Sequence, residues 1–238
     1  MAIEPPEIEG LPRREPNPAA PWTVRDTWVG LLLLVLVIGT LAVISVLLPR
    51  EGLAGSLVLA LLEPLLVLPV AIILGWKHIH WKHLGFRRFG WNGLAIGCGV
   101  LLLAYPLVVI HNMILVWAGV ETQGDSLTQL YEMLGTPALF IISAVLVAPV
   151  TEEIFFRGFL FPGLRQRYGW IKAMLISSAI FAGFHLQPAA LIPTFILGCV
   201  LAVIYQQSRS IWPGIIVHFL VNGLALGVTA LGVQMGWF

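Results

Sequence analysis

Apolar residues run along this chain in long stretches, broken at short intervals by polar clusters. A hydrocarbon core of roughly 30 Å takes about 20 helical residues to cross. Seven stretches have about that length: Thr27–Pro49, Leu53–Trp76, Asn92–Gly119, Thr136 to about Arg167, Trp170–Leu186, Ala189–Gln206 and Ile211–Met235. The expected fold is all-α, a polytopic transmembrane helical bundle of about seven spans, with six to eight as the range. A membrane β-barrel would show short alternating segments instead. Between the third and fourth stretches, Leu127, Leu130, Tyr131 and Leu134 recur at helical spacing in SLTQLYEML, which predicts a short amphipathic helix at the interface. Residues 1–25 are polar and carry Pro5, Pro6, Pro12, Pro16, Pro18 and Pro21, so they read as a disordered cytoplasmic tail before a single membrane-embedded domain at 26–238. The apolar run after this tail is too long for a signal-peptide core and is expected to remain as the first span.

Composition agrees: 58% of residues are apolar, 11% are charged and the mean hydropathy is +0.92. The net charge of +1 says nothing about partners, and no nucleic-acid partner is expected. Its distribution is informative. Arg13, Arg14 and Arg25 lie in the tail, Lys77, Lys82, Arg87 and Arg88 in the second loop, Arg165, Arg167 and Lys172 around the fourth turn, and Arg209 in the sixth loop. Only Arg50 falls on the other side, while Glu121, Asp125 and Glu132 crowd the third loop. Excess Lys and Arg on cytoplasmic loops then predicts a cytoplasmic N-terminus and an external C-terminus. Cys98 and Cys199 lie inside apolar runs and imply no disulfide framework. The second loop, WKHIHWKHLGFRR, has a His78-x-His80-x-x-His83 spacing that suits a metal, but Trp76 and Trp81 among Lys and His fit an interfacial belt better.

Ionisable groups inside spans are costly, roughly 2.5–3.5 kcal/mol each on insertion scales. Glu63, His111, Glu152, Glu153, Arg157, His185 and His218 stand in or near these runs, with Asn112 and Asn222 as polar amides. Glu153 and Arg157 are four apart, acid before base, which predicts a neutralising ion pair on one helix face. Glu152 is turned about 100° away in an α-helix and is left without a partner in its own helix. Counted from a turn near Tyr168–Gly169, Glu152 and His185 are each about 16 residues distant, so antiparallel helices bring them to one depth, provided the fourth helix continues through Pro162. Phe181, four before His185, walls the site on its apolar side, and Ser177 and Ser178 read as packing residues. His218 and Asn222, again four apart, point together from the last span. A lone His–Asn pair is ordinary interhelical glue. Three polar patches on three helices fit a shared, water-containing cavity better. A carboxylate in such a cavity is a stronger base than one in water, a histidine beside it can hold a water, and a second histidine with an amide can stabilise an oxyanion. That set suits amide hydrolysis without a covalent intermediate. Glu63, next to Pro64 and ahead of Pro69, reads as a locally satisfied carboxylate at a kink.

Glu152-Glu153-x-x-x-Arg157-Gly158-Phe159-Leu160, then Phe181-x-x-x-His185, then His218-x-x-x-Asn222, resembles the three-motif signature of the CAAX protease and bacteriocin-processing (CPBP, or Abi) family of intramembrane endopeptidases. The resemblance covers about Ala138 to Gly227, with HLGFRR in the family's style of loop. It implies a CAAX-protease-like bundle that cleaves a membrane-associated peptide or protein, which in some branches is lipidated. It implies that Glu152 with His185 activates the water, that His218 and Asn222 stabilise the oxyanion, and that Glu153 and Arg157 support the site, with no metal cofactor. A bacterial plasma membrane is the expected location. One tension is depth: His218 lies only about nine residues from Arg209, so the fourth and fifth helices must protrude for it to meet Glu152.

Three rivals remain. Glu152, His185 and His218 offer one oxygen and two nitrogen ligands, a known catalytic zinc set. A non-catalytic membrane scaffold or regulator is a second. A transporter, with Glu63 and His111 on a proton path, is a third, weakened by the lack of an inverted repeat.

Overall fold

The structure is a computed structural model that describes residues 19–48, 51–134 and 137–235. Most of the proline-rich tail, and Arg50, lie outside these residues. The described backbone forms an α-helical bundle, as hydrocarbon demands of a chain whose amides must pair internally. Helix α1 (Val24–Leu47) starts at a capping box: Thr23 Oγ1 accepts from Asp26 N at 3.2 Å, and Asp26 Oδ2 accepts from Thr23 N at 2.9 Å. The second span is α2 (Gly52–Leu62), a 3₁₀ turn at Glu63–Val67, and α3 (Leu68–Trp76). Pro64 and Pro69 open the last two segments, each removing a donor that a continuous α-helix needs. Helix α4 (Trp91–Trp117) is the third span and α5 (Gln123–Leu134) contains the expected amphipathic segment.

The fourth span is not a plain α-helix. It runs through α6 (Pro137–Ile142), a π turn at Ser143–Val147, α7 (Ala148–Glu152), a π stretch at Glu153–Leu160, and the first part of α8 (Phe161–Phe184). Each π segment lies just ahead of a proline, Pro149 or Pro162. A proline gives no N–H and pushes away the carbonyl four residues back, here Val145 or Gly158, so the ladder shifts to i→i+5 bonding. The helix does continue through Pro162.

Among the described residues six helices are long and apolar enough to cross a membrane, and one of them, Ala138–Phe184, has 47 residues. At ~1.5 Å per residue that is about 70 Å, twice a bilayer core. It folds back at Gly169, whose φ of 75° and ψ of 167° break the helix. The Phe156 and Phe181 rings consequently lie 5.0 Å apart, although a straight helix would separate them by about 37 Å. The described residues therefore form seven crossing segments, completed by α9 (Leu191–Ser208) and α10 (Trp212–Met235). The chain is an integral membrane protein, and its exposed apolar side chains, such as Leu102, Leu103 and Trp117 on α4, are lipid-facing surface.

The expected tail boundary needs correction. Trp22 is among the most buried side chains, stacked on Phe159 with ring centroids 5.2 Å apart, and its carbonyl accepts from Gln166 Nε2 at 2.9 Å. The folded unit thus begins before residue 26, because an indole ring seals the start of α1 against the π stretch. His218 and Glu152 do meet, with His218 Nε2 3.6 Å from Glu152 Oε2, and contacts near the hairpin turn fix its level against two neighbouring helices. Gln166 is level with Trp22, and Arg165 Nη1 donates to Gln206 Oε1 at 3.0 Å near the end of α9. The hairpin tip beyond them, residues 167–172, is exposed. The basic loops gather at this same end: Lys77 pairs with Asp26 at 3.1 Å, and Ser210 Oγ donates to the Arg87 carbonyl at 2.7 Å.

Candidate active site

Glu152 closes α7 and Glu153 opens the π stretch. All eight residues from Glu153 to Leu160 are buried. Glu153 Oε1 forms an ion pair with Arg157 Nη1 at 3.0 Å, both side chains being sealed at 0% and 2% exposure. Arg157 Nη2 donates to the Gly198 carbonyl at 3.1 Å, and its guanidinium lies 4.4 Å from the Phe181 ring centre. Gly198 also lets its helix lie close to Ser178, since a Cβ there would meet Ser178 Cβ at 2.9 Å. The expected ion pair is present, and a third helix helps to hold it.

Glu152 keeps 17% side-chain exposure and lines a cavity of about 180 Å³ with Glu63, Thr151, Phe181 and His185. Leu34 and Ile38 of α1, Leu66, Phe155, Phe156 and Phe184 complete its walls. The two arms of the hairpin thus bring Glu152 and His185 to one space, with no direct bond between them. His185 Nδ1 lies 2.9 Å from the Phe181 carbonyl. A carbonyl only accepts, so Nδ1 carries the hydrogen and a neutral ring keeps its Nε2 lone pair for another donor. Phe181 packs edge-on against His185 and His218, at 4.9 and 5.9 Å between centroids.

His218 sits behind Glu152, outside the cavity wall. Its Nε2 is 3.6 Å from Glu152 Oε2 and its Nδ1 is 3.5 Å from Glu153 Oε1. One ring reaches both carboxylates because π winding puts more residues in a turn and turns successive side chains by less than 100°. The two glutamates are therefore less separated than α spacing indicates. Asn222, one turn further along α10, donates Nδ2 to the Ala144 carbonyl at 2.9 Å, within the first π turn. Its second amide hydrogen remains available.

Glu63 is the residue that sequence reasoning undervalued. Read there as locally satisfied, it lines the cavity instead, beside the Thr151 hydroxyl. The available signal was an acid placed where Pro64 breaks an apolar run. His111 stands apart, with Nδ1 3.3 Å from Asn112 Oδ1, and does not join the cavity. His80 caps the turn Trp81–Leu84 by accepting from Lys82 N at 3.1 Å. Among the described residues no three His, Cys, Asp or Glu side chains are grouped closely enough to hold a metal ion. The zinc set Glu152, His185 and His218 does not fit one ion as arranged.

Fold and site together define a polytopic helical membrane protein with a carboxylate–histidine cavity inside the bundle. Residues 134–224 match the family model described as type II CAAX prenyl endopeptidase Rce1-like. The chain is also 29% identical over 104 residues to the Bacillus subtilis (strain 168) protein named "Putative membrane peptidase YdiL". That match spans 44% of this chain and 43% of the relative, so it covers less than half of either protein. The family-model match covers the part of the chain that carries the three motifs, and that part is what is similar to a type II CAAX prenyl endopeptidase. No solved structure matches the chain significantly.

Proposed function

We propose that this protein is an intramembrane endopeptidase that hydrolyses a peptide bond by a glutamate-activated water. The observation that carries the reading is the convergence of Glu152 and His185 on one cavity from opposite arms of a hairpin. A water between them donates one hydrogen to His185 Nε2 and the other to Glu152. Glu152 takes that proton as the oxygen attacks the carbonyl carbon, then returns it to the leaving amine as the C–N bond breaks. His218 Nε2 and the second Asn222 amide hydrogen are the oxyanion donors in this reading, which requires the scissile carbonyl to reach past Glu152, since neither residue lines the cavity. Glu153, Arg157 and Phe181 hold His218 and the helix in place. The substrate is a membrane-associated peptide or protein, reached from the basic face. That face is cytoplasmic, with the N-terminus on the same side and the C-terminus outside, in a bacterial plasma membrane.

The reaction as written needs no metal, and activity in strong chelator tests this against the zinc alternative. The deciding experiment compares wild type with Glu152→Gln in defined liposomes on membrane-anchored fluorogenic peptides. Cleavage by wild type alone supports the reading, and equal cleavage by both overturns it.

A further inference from the structure

We propose that Glu63 selects a cationic group of the substrate, a lysine ammonium or arginine guanidinium close to the scissile bond. This rests on the peptidase reading above. Glu63 enters the cavity because Pro64 ends α2 and starts a tighter turn at that point. Its polar neighbour, Thr151, is a neutral partner whose single hydroxyl hydrogen is shared between Glu63 and the Ala148 and Val147 carbonyls, at 2.9 and 3.3 Å from the latter two, so it supplies no charge to match the carboxylate. No Lys or Arg lines the cavity among the described residues. Among the described residues the one buried cation nearby, Arg157, is matched by Glu153 and held by the Gly198 carbonyl.

The cavity therefore presents two carboxylates, Glu63 and Glu152, within walls of Phe155, Phe156 and Phe184. An uncompensated carboxylate in apolar surroundings is costly. A substrate that brings a positive charge removes this cost on binding, and the aromatic faces add cation–π attraction. A neutral substrate of the same size leaves the cost in place. Discrimination follows from that difference, and Glu63 sets it because Glu152 is committed to the water.

The test uses the full chain in liposomes with matched membrane-anchored fluorogenic peptides. Each carries Lys, Arg, Gln or norleucine at one position around the cleaved bond. Wild type is expected to favour a cationic peptide over its norleucine match by about ten- to hundred-fold in kcat/KM, mainly through KM. In Glu63→Gln that ratio falls to near one, whereas Glu63→Asp retains a preference. The Lys and Arg series separate an ammonium site from a guanidinium fork. A second readout is independent of turnover: Glu152→Gln binds the uncleaved cationic peptide more tightly than its norleucine match, and adding Glu63→Gln removes the difference. An unchanged ratio in Glu63→Gln, no cation preference in wild type, or an equal kcat loss on all peptides overturns the inference. None of these touches the peptidase reading, which fails separately if Glu152→Gln cleaves like wild type.

Discussion

Two neighbouring glutamates in this protein occupy opposite kinds of environment. Glu153 is sealed, paired with Arg157 and reached by His218 Nδ1 at 3.5 Å. Glu152 opens onto a cavity with His185 across it and Glu63 on another wall. The sealed layer behaves as a strut: its charges cancel, and three helices meet there. Among the described residues no Lys or Arg lines the open layer to match its carboxylates, which is a poor way to build a strut and a good way to build a reactive site. Intramembrane charge is thus divided into a part that holds the bundle and a part that faces a cavity.

Changing each layer in turn tests the division. The largest effect is expected for Glu152→Gln, which should lower cleavage by about 10²–10⁴-fold while barely moving the thermal unfolding midpoint. A matching loss of stability would place Glu152 in the strut. Next, Arg157→Leu leaves Glu153 buried without its cation and should cost about 3–5 kcal/mol, read as a lowered unfolding midpoint in detergent. The double variant Glu153→Met with Arg157→Leu should recover much of that loss. Failure to recover would mean the pair does more than neutralise itself.

Asn222→Ala comes third. Loss of an oxyanion donor predicts about 10²–10³-fold slower cleavage. Loss of stability alone, about 1 kcal/mol for one hydrogen bond, would make Asn222 only a brace for Ala144. Gly198→Ala is smaller: its Cβ must displace Ser178, which should cost about 1–3 kcal/mol and loosen the Arg157 contact. Last, cleavage should be unchanged in strong chelator, and a loss restored specifically by zinc would overturn the metal-free reaction.

Much of this was legible in the sequence. Apolar run lengths predicted a seven-span bundle, and the hairpin agrees with it through the turn at Gly169. Four-residue spacing predicted the Glu153–Arg157 pair and placed Phe181 beside His185. Counting residues from the turn put Glu152 and His185 at one depth, and both line one cavity. These are local or nearly local properties, set by helical rise, helical period and the cost of charge in hydrocarbon.

Other features needed the tertiary structure. The π winding at Glu153–Leu160 has only Pro162 as a sequence cue, yet it lets one His218 ring face both carboxylates. Trp22 reads as part of a tail until Phe159 is seen against it. Glu63 reads as a kink residue until two spans close around it. Run length and periodicity report what one helix needs from the bilayer, so the sequence by itself determined the spans and the chemistry they carry. Which carboxylates are sealed and which share a cavity depends on how separate helices pack, and only the tertiary structure decided that.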